Sequence, residues 1–312
     1  MRGGQSGMST VGSITMSLLC PKPLRPGDAV AVVAPSGVVE RSPFEAGMRF
    51  LQGRYAVRWG QGLFSKTGYL AGSDERRLEE LQHAIDDEDI KAIFAVRGGY
   101  GALRLLPKVQ LEGRTPKWLV GFSDITALHA LWQRAGWQSL HGPVVTQMGV
   151  LGADDLQTLV DILERSGGNS SLLGTHCLVP GTASGPLLGG NLSVFSRLVG
   201  TPYMPDTRGA ILLLEDVGEA PYRIDRMWTH LRLAGVLQTL SGIVLGTFSP
   251  CEDKQGAHGC LEVLESLASE TGLPCVAGFP IGHNTRNVAV RLGSQVRLSA
   301  GSLRLTCLHG ET

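Results

Sequence analysis

A parallel α/β fold is what this sequence predicts, and three observations predict it. Short apolar runs recur, beginning with the wholly apolar, Val-rich residues 29–34 (AVAVVA), and such runs mark strands buried on both faces of a parallel sheet. Helical patterns follow them, so strand and helix alternate through the first half of the chain. The length, 312 residues, is ample for a large core and predicts roughly two domains.

The elements follow in order. After a Pro-Ser-Gly turn, Ser42-Pro43-Phe44-Glu45 reads as a helix start: a capping Ser, Pro at the first helical position, Glu three residues after the cap. That helix runs to Gln52 and stops at Gly53. Ser73 opens a second helix through Ile85, with Leu78, Leu81 and Ile85 as its apolar stripe. Residues 92–96 form the next buried strand, ending in Arg97-Gly98-Gly99-Tyr100-Gly101. Residues 118–122 form another, which ends at Ser123 ahead of a helix over 125–132. Between 144 and 184 the pattern thins to one helix (154–164) and a Gly/Ser-rich stretch. The domains are therefore placed at 24–150 and 185–312, with 151–184 as a linker. The second half has strands at 210–214, 243–247 and 276–279, then short alternating runs at 288–292, 296–298 and 303–307 that suggest β-hairpins. Its helix at 222–233 sets Ile224, Met227, Trp228 and Leu231 at helical spacing, a core stripe with no cofactor role.

Composition removes several functions. Lys and Arg together number 28, as do Asp and Glu, so no basic field exists for nucleic acid or an anionic membrane. The longest uncharged stretch, 166–196, holds seven Gly with Asn, His and Pro, and reads as a linker rather than a membrane span. Six cysteines without a CxxC read as reduced thiols in a cytoplasmic chain. Cys251, His258 and Cys260 match no standard zinc spacing, so no metal is expected. Residues 1–22 are too polar for a convincing secretion signal and read as a ragged leader.

Reactive groups in α/β sheets collect where strands end and helices begin. Ser123 occupies such an end, and the amide of Asp124 after it lies where unpaired helix N–H groups face an anion. This is the logic of a nucleophile elbow without the G-x-S-x-G spelling (the residues are GFSDI); capping the helix is the other reading of Ser123. The Arg97–Gly101 turn can bring backbone N–H groups close to a ligand, or serve only as a turn. As a dinucleotide fingerprint it fails, because Arg104 stands in the third glycine's place, and no cofactor is expected. Glu215 emerges from a buried apolar run and needs a partner. Of eight histidines, His283 and His141 occupy strand-end loops, whereas His83, His129 and His230 fall in helical patterns. Ser, Glu and His at the ends of three separate strands are a recurrent solution for acyl transfer. Arg97 and Arg226 could offer a fork to a substrate carboxylate or sit in structural salt bridges.

Six motifs then carry a resemblance: VRGGYG (96–101), GFSDIT (121–126), LHGP (140–143), GGNLS (189–193), LLLEDVGEAPYRIDR (212–226) and GFPIGH (278–283). In this order, and over nearly the whole chain from Leu24 onward, the sequence resembles the LD-carboxypeptidase family of serine peptidases. The resemblance implies an N-terminal flavodoxin-like parallel-sheet domain that holds the nucleophile, plus a C-terminal mixed α/β domain that supplies acid and base. Carried over by motif, Ser123 is the nucleophile, His283 the base and Glu215 its orienting partner. The amides of Gly98, Gly99 and Asp124 form the oxyanion hole. Apart from what the motifs carry over, Arg97, Tyr100 and Arg226 are candidates for contact with substrate. The implied activity releases terminal D-Ala from peptidoglycan tetrapeptides in cytoplasmic cell-wall recycling, by a homodimer without metal or cofactor. Asn284-Thr285-Arg286 depart from the residues many members carry after the His.

Three other functions compete. The microcin-immunity branch of the same family resembles hydrolases of aminoacyl- or peptidyl-nucleotide conjugates, and tends to carry an aromatic-bearing insertion for which this chain is too compact. A non-catalytic muropeptide-binding protein would bind with or without Ser123. A dinucleotide oxidoreductase lacks its third glycine.

Overall fold

The computed structural model describes residues 18–165, 171–249 and 259–308. The first half supplies strands β1 (Ala29–Val33), β2 (Ala56–Trp59), β3 (Ala92–Ala95), β4 (Trp118–Gly121) and β5 (Ser139–His141). These pair in parallel in the order β5-β4-β3-β1-β2. Helices α1 (Arg41–Gln52), α2 (Asp74–Asp86), α3 (Thr126–Arg134), α4 (Val145–Met148) and α5 (Ala153–Glu164) cover the sheet. The alternation within β1 shows why it is buried on both sides. Val30 and Val32 join the core that holds α1, α4 and α5, while Ala31 and Val33 join the one under α2 and α3.

The second half adds β6 (Ser171–Leu173), β7 (His176–Val179), β8 (Thr182–Asn191), α6 (Leu192–Ser196), β9 (Ile211–Asp216), α7 (Pro221–Leu233), β10 (Gly242–Phe248), α8 (Cys260–Thr271), β11 (Cys275–Ala277), β12 (Val290–Leu292), β13 (Gln295–Ser299) and β14 (Arg304–Cys307). Eight of these strands form a mixed sheet in the order β6-β14-β13-β8-β9-β10-β11-β7, parallel from β8 through β11 and antiparallel at both flanks. One continuous apolar core runs from α2 and α3 to α6, α7 and β9, so the two sheets share a helical layer. This is the expected α/β class: a parallel N-terminal sheet and a mixed C-terminal one.

Four expectations need correction. The stretch 151–184 is not a plain linker: it carries α5, which buries Leu159, Ile162 and Leu163, together with β6, β7 and the start of β8. Two of its glycines stand where a side chain has no room: a Cβ on Gly174 would lie 2.6 Å from Val276 Cγ1, and one on Gly181 would lie 2.8 Å from Pro274 Cγ. The run at 288–292 does not form a hairpin with its successor; β12 crosses back to pair antiparallel with β5, and the hairpin is β13–β14. Helix α1 starts at Arg41 with Glu40 as its N-cap and no side-chain cap bond, so Ser42 lies inside the first turn. Pro43 is tolerated there because first-turn N–H groups have no intrahelical acceptor. Ser73 does cap α2, accepting from the Arg76 N–H at 3.3 Å. Finally, Cys20, Cys177, Cys275 and Cys307 are free, but Cys260 is disulfide-bonded, unlike the six thiols expected. The other two members of the rejected zinc set, Cys251 and His258, lie outside the described residues.

Candidate active site

The carboxyl ends of β3, β4, β5 and β9 converge with the loop after β11. Ser123 follows β4 after Phe122 alone and has φ +62°, one of two non-glycine residues with positive φ among those described. An L-residue held there costs about 1–3 kcal/mol, and such strain gathers at functional sites. The turn after β3 packs onto it. Asp124, 2% exposed, ties the pieces together: its carboxylate accepts from Ser36 Oγ at 2.6 Å and from the Ala102 N–H at 2.8 Å. One buried acid therefore joins the loops after β1, β3 and β4. Burial raises its pKa above the ordinary carboxylate range, against the pull of those hydrogen bonds.

Gly98 lies against the serine. A Cβ at Gly98 would stand 2.7 Å from Ser123 Cβ and 2.8 Å from its Oγ. Gly98→Ala is expected to fold with a melting temperature within a few degrees of wild type, yet to lose roughly 10²-fold in kcat/KM, because the hydroxyl must move by about 1 Å. Steady-state kinetics beside a thermal melt checks this; full activity would show that the turn yields freely.

Glu215 lies within β9, two residues beyond Leu213 on the same strand face, and is fully buried. Its Oε2 accepts from His283 Nδ1 at 2.7 Å. Gly282 lets the histidine loop approach so closely that a Cβ there would overlap Oε2. Burial is the largest influence on the Glu215 carboxyl and pushes its pKa up. His141 and His283 together outweigh it and hold the group down at about 2. His141 Nε2 stands 3.9 Å from Glu215 Oε1, too long for a hydrogen bond, so it acts there as a nearby charge or dipole. The His283 ring packs 4.6 Å from that of Phe122, the residue before Ser123. Among the described residues Ser123 Oγ makes no hydrogen bond to His283; catalytic contacts of this kind are often long until substrate closes the site.

The histidine loop is anchored from the other half of the chain. Arg286 pairs with the buried Asp155 of α5 at 2.7 Å, the Asn287 Nδ2 donates to Gln147 Oε1 at 2.8 Å, and the Gly282 N–H donates to Asn287 Oδ1 at 2.9 Å. The unusual Asn284-Thr285-Arg286 thus contributes a structural ion pair. Sequence reading missed Asp155, Gln147 and Asn287, and no local pattern signals a bond across more than 130 residues. The GGNLS and LLLED motifs meet likewise: Asp216 accepts from the Ser193 N–H at 2.9 Å, Ser193 Oγ at 2.8 Å and Asn191 Nδ2 at 3.1 Å.

The residues expected to face substrate lie apart. Arg97 Nη1 donates to the Val38 carbonyl at 2.7 Å, and its Nε lies 3.4 Å from the position a Cβ on Gly37 would take. Tyr100 is half-exposed, edge-on to Tyr69 at 5.6 Å. Arg226 lies over the Tyr222 ring at 5.4 Å and lines a different cleft, of about 440 Å³, along α7. Among the described residues neither arginine pairs with a carboxylate, so the salt-bridge reading holds for neither. Among those residues, too, no cluster of three metal-ligating side chains and no helix long and apolar enough to cross a membrane occurs.

Two family models match in sequence order. The LD-carboxypeptidase N-terminal domain matches residues 30–142 and the LD-carboxypeptidase C-terminal domain matches residues 184–298. The chain belongs to the LD-carboxypeptidase family. It is therefore a hydrolase of a carboxypeptidase family. The murein tetrapeptide carboxypeptidase of Pseudomonas aeruginosa is 33% identical over 297 residues, covering 88% of this chain and 94% of that one. The crystal structure of muramoyltetrapeptide carboxypeptidase from Oxalobacter formigenes superimposes with a TM-score of 0.81 at 30% identity, over 91% of this chain and all of that one. The microcin C7 self-immunity protein of Escherichia coli is more distant, 25% identical over 315 residues, covering 88% of this chain and 92% of that one. A structure of that protein with glutamyl sulfamoyl guanosine shares the fold at a TM-score of 0.84 and 22% identity, over 94% of this chain and 99% of that one.

Proposed function

We propose that this LD-carboxypeptidase is a serine enzyme that releases terminal D-Ala from murein tetrapeptides in cytoplasmic cell-wall recycling, as a homodimer. One observation carries the reading: a strained Ser123 at one strand end lies beside a ring contact, Phe122 to His283, and His283 is hydrogen-bonded at 2.7 Å to the buried Glu215. The relatives named above support the substrate class.

The steps follow from these roles. Ser123 Oγ attacks the carbonyl carbon of the diamino acid's L-centre while its proton passes to His283 Nε2. Glu215 accepts from Nδ1–H, so the imidazole keeps the tautomer whose Nε2 is a base. The oxyanion of the tetrahedral intermediate is held by the amides of Asp124 and of Gly98 or Gly99, at roughly 3–4 kcal/mol per donor. The C–N bond then breaks, His283 returns the proton to the D-Ala amine, and an acyl-enzyme remains. Water, deprotonated by the same nitrogen, releases the tripeptide acid and restores Ser123. Each step draws on side chains and backbone amides alone. Arg97, beside the glycine turn, is the residue we place against the terminal carboxylate.

Glu215, held at about 2, stays ionised throughout the working range. The acid limb of kcat/KM is then not that of Glu215, and activity should fall toward acid pH only as the base takes up a proton. A limb centred near pH 4.5, or a flat profile from about pH 5 to about pH 8, would remove His283 as the base. The function itself is tested by following free D-Ala from a muramyl tetrapeptide. If no D-Ala appears while an aminoacyl-nucleotide conjugate is cleaved, the peptidoglycan reading is replaced by the immunity-type one.

A further inference from the structure

His141 closes β5 beside the site, fully buried. Both of its ring nitrogens lack a hydrogen-bond partner, and so does Glu215 Oε1. Buried polar atoms are nearly always satisfied, so three orphans in one place need a reason. Two of them face each other, Nε2 to Oε1, at 3.9 Å. The strand fixes the ring's position: the His141 backbone pairs with Gly121 of β4 on one side and Val290 of β12 on the other.

The other groups around the ring cannot serve it. His129 of α3 lies 6.3 Å away between centroids, but its Nδ1 is engaged by Ser139 Oγ at 2.9 Å and its Nε2 by the Gly121 carbonyl at 2.8 Å. Burial also drives the His129 pKa down to about 3, so it brings no charge near neutral pH. Phe122 offers only a ring edge at 5.9 Å. Arg291 of β12 turns its guanidinium over the Trp118 ring, and Asp124 is occupied by Ser36 and Ala102. His283 already holds the other oxygen of Glu215. An aliphatic or phenyl side chain would fill the space without burying two orphan nitrogens, so packing alone does not account for a histidine here.

We propose that His141 is a positioning residue for the triad: with its proton on Nε2 it donates to Glu215 Oε1, closing the present gap when substrate seats. The carboxylate is then gripped at both oxygens, by His283 on Oε2 and His141 on Oε1. A carboxylate held at one oxygen can turn about its own bond, and each turn swings the His283 ring away from Ser123. Two-point holding removes that freedom. The proposal rests on the Ser123–His283–Glu215 reading, and it assigns His141 no contact with substrate.

The test compares His141→Leu, His141→Gln and His141→Asn with wild type and Ser123→Ala. Gln places an amide nitrogen near the Nε2 position, whereas Asn reaches only the Nδ1 position. Two quantities are read: kcat and KM for D-Ala release, and the low-field Nδ1–H proton resonance of His283 in the resting protein, which needs no substrate. Leu and Asn are expected to lose about 10- to 100-fold in kcat, the usual effect of partners behind a first contact, with KM within about twofold. Both should weaken or shift the resonance, and Gln should restore most of each. If Leu fails to fold, the Gln and Asn pair decides alone. Equal behaviour of Gln and Asn, or a folded Leu variant with wild-type kcat and resonance, overturns the proposal. If wild type releases no D-Ala, the substrate reading fails and the His283 resonance still decides the role of His141.

Discussion

Ser123→Ala is expected to lower kcat for D-Ala release by about 10⁴-fold or more, with KM little changed and metal chelator present in both reactions. The substitution removes one oxygen and leaves the rest of the site standing. Alanine occupies the same strained backbone position at φ +62° as readily as serine, and the turn bearing Gly98 still closes over it. What is lost is the nucleophile and with it the acyl-enzyme; what survives is binding and the oxyanion donors, which supply the residual rate. Because the residue before Ser123 packs on the His283 ring, the variant also keeps that ring in place. Product release measured beside wild type is decisive. A variant as fast as wild type would make Ser123 a helix cap and end the serine mechanism.

Glu215→Gln is the second large effect. The change is nearly isosteric in a fully buried position, so the packing is kept; the histidines outweigh the cost of burying the charge, so its loss should lower the melting temperature without unfolding the protein. Activity should nevertheless fall by about 10⁴-fold. If the amide nitrogen faces His283, Nδ1 must become the acceptor, the proton moves to Nε2, and the base disappears. If the amide oxygen faces His283, the tautomer survives but the imidazolium formed in the reaction loses its counter-charge. Kinetics and a thermal melt on the same preparation separate this from unfolding. Near-wild-type activity would mean that Glu215 is a structural acid.

The sequence made much of this site legible. Apolar runs ended at Ser123 and beside Glu215, and strand ends are where reactive groups gather in parallel sheets. His283 was visible as a histidine in a Gly-Pro loop after a strand. The second sheet was harder to read. The strands β6 to β8 hide in a Gly/Ser-rich stretch whose composition signals a linker, because their glycines answer to neighbours such as Gly209 and Val276 that lie far along the chain. The short run that becomes β12 alternates as a hairpin strand would. Its true partner, β5, is about 150 residues earlier, and periodicity records which face is apolar, not which strand lies alongside.

By itself the sequence determined the local features: apolar runs that must be buried on both faces, a capped second helix, a serine, an acid and a histidine each at an element's end, and motifs that placed them in a family. Only the tertiary structure decided that Asp124 ties three loops together, that Asp155 and Gln147 hold the histidine loop from the other half, and that His141 faces the unsatisfied oxygen of Glu215. The physical reason is range. Periodicity, capping and turn chemistry act over a few residues and are written in neighbouring letters. A buried polar contact is chosen by whatever the folded core leaves within reach, and its partners can stand a hundred residues apart.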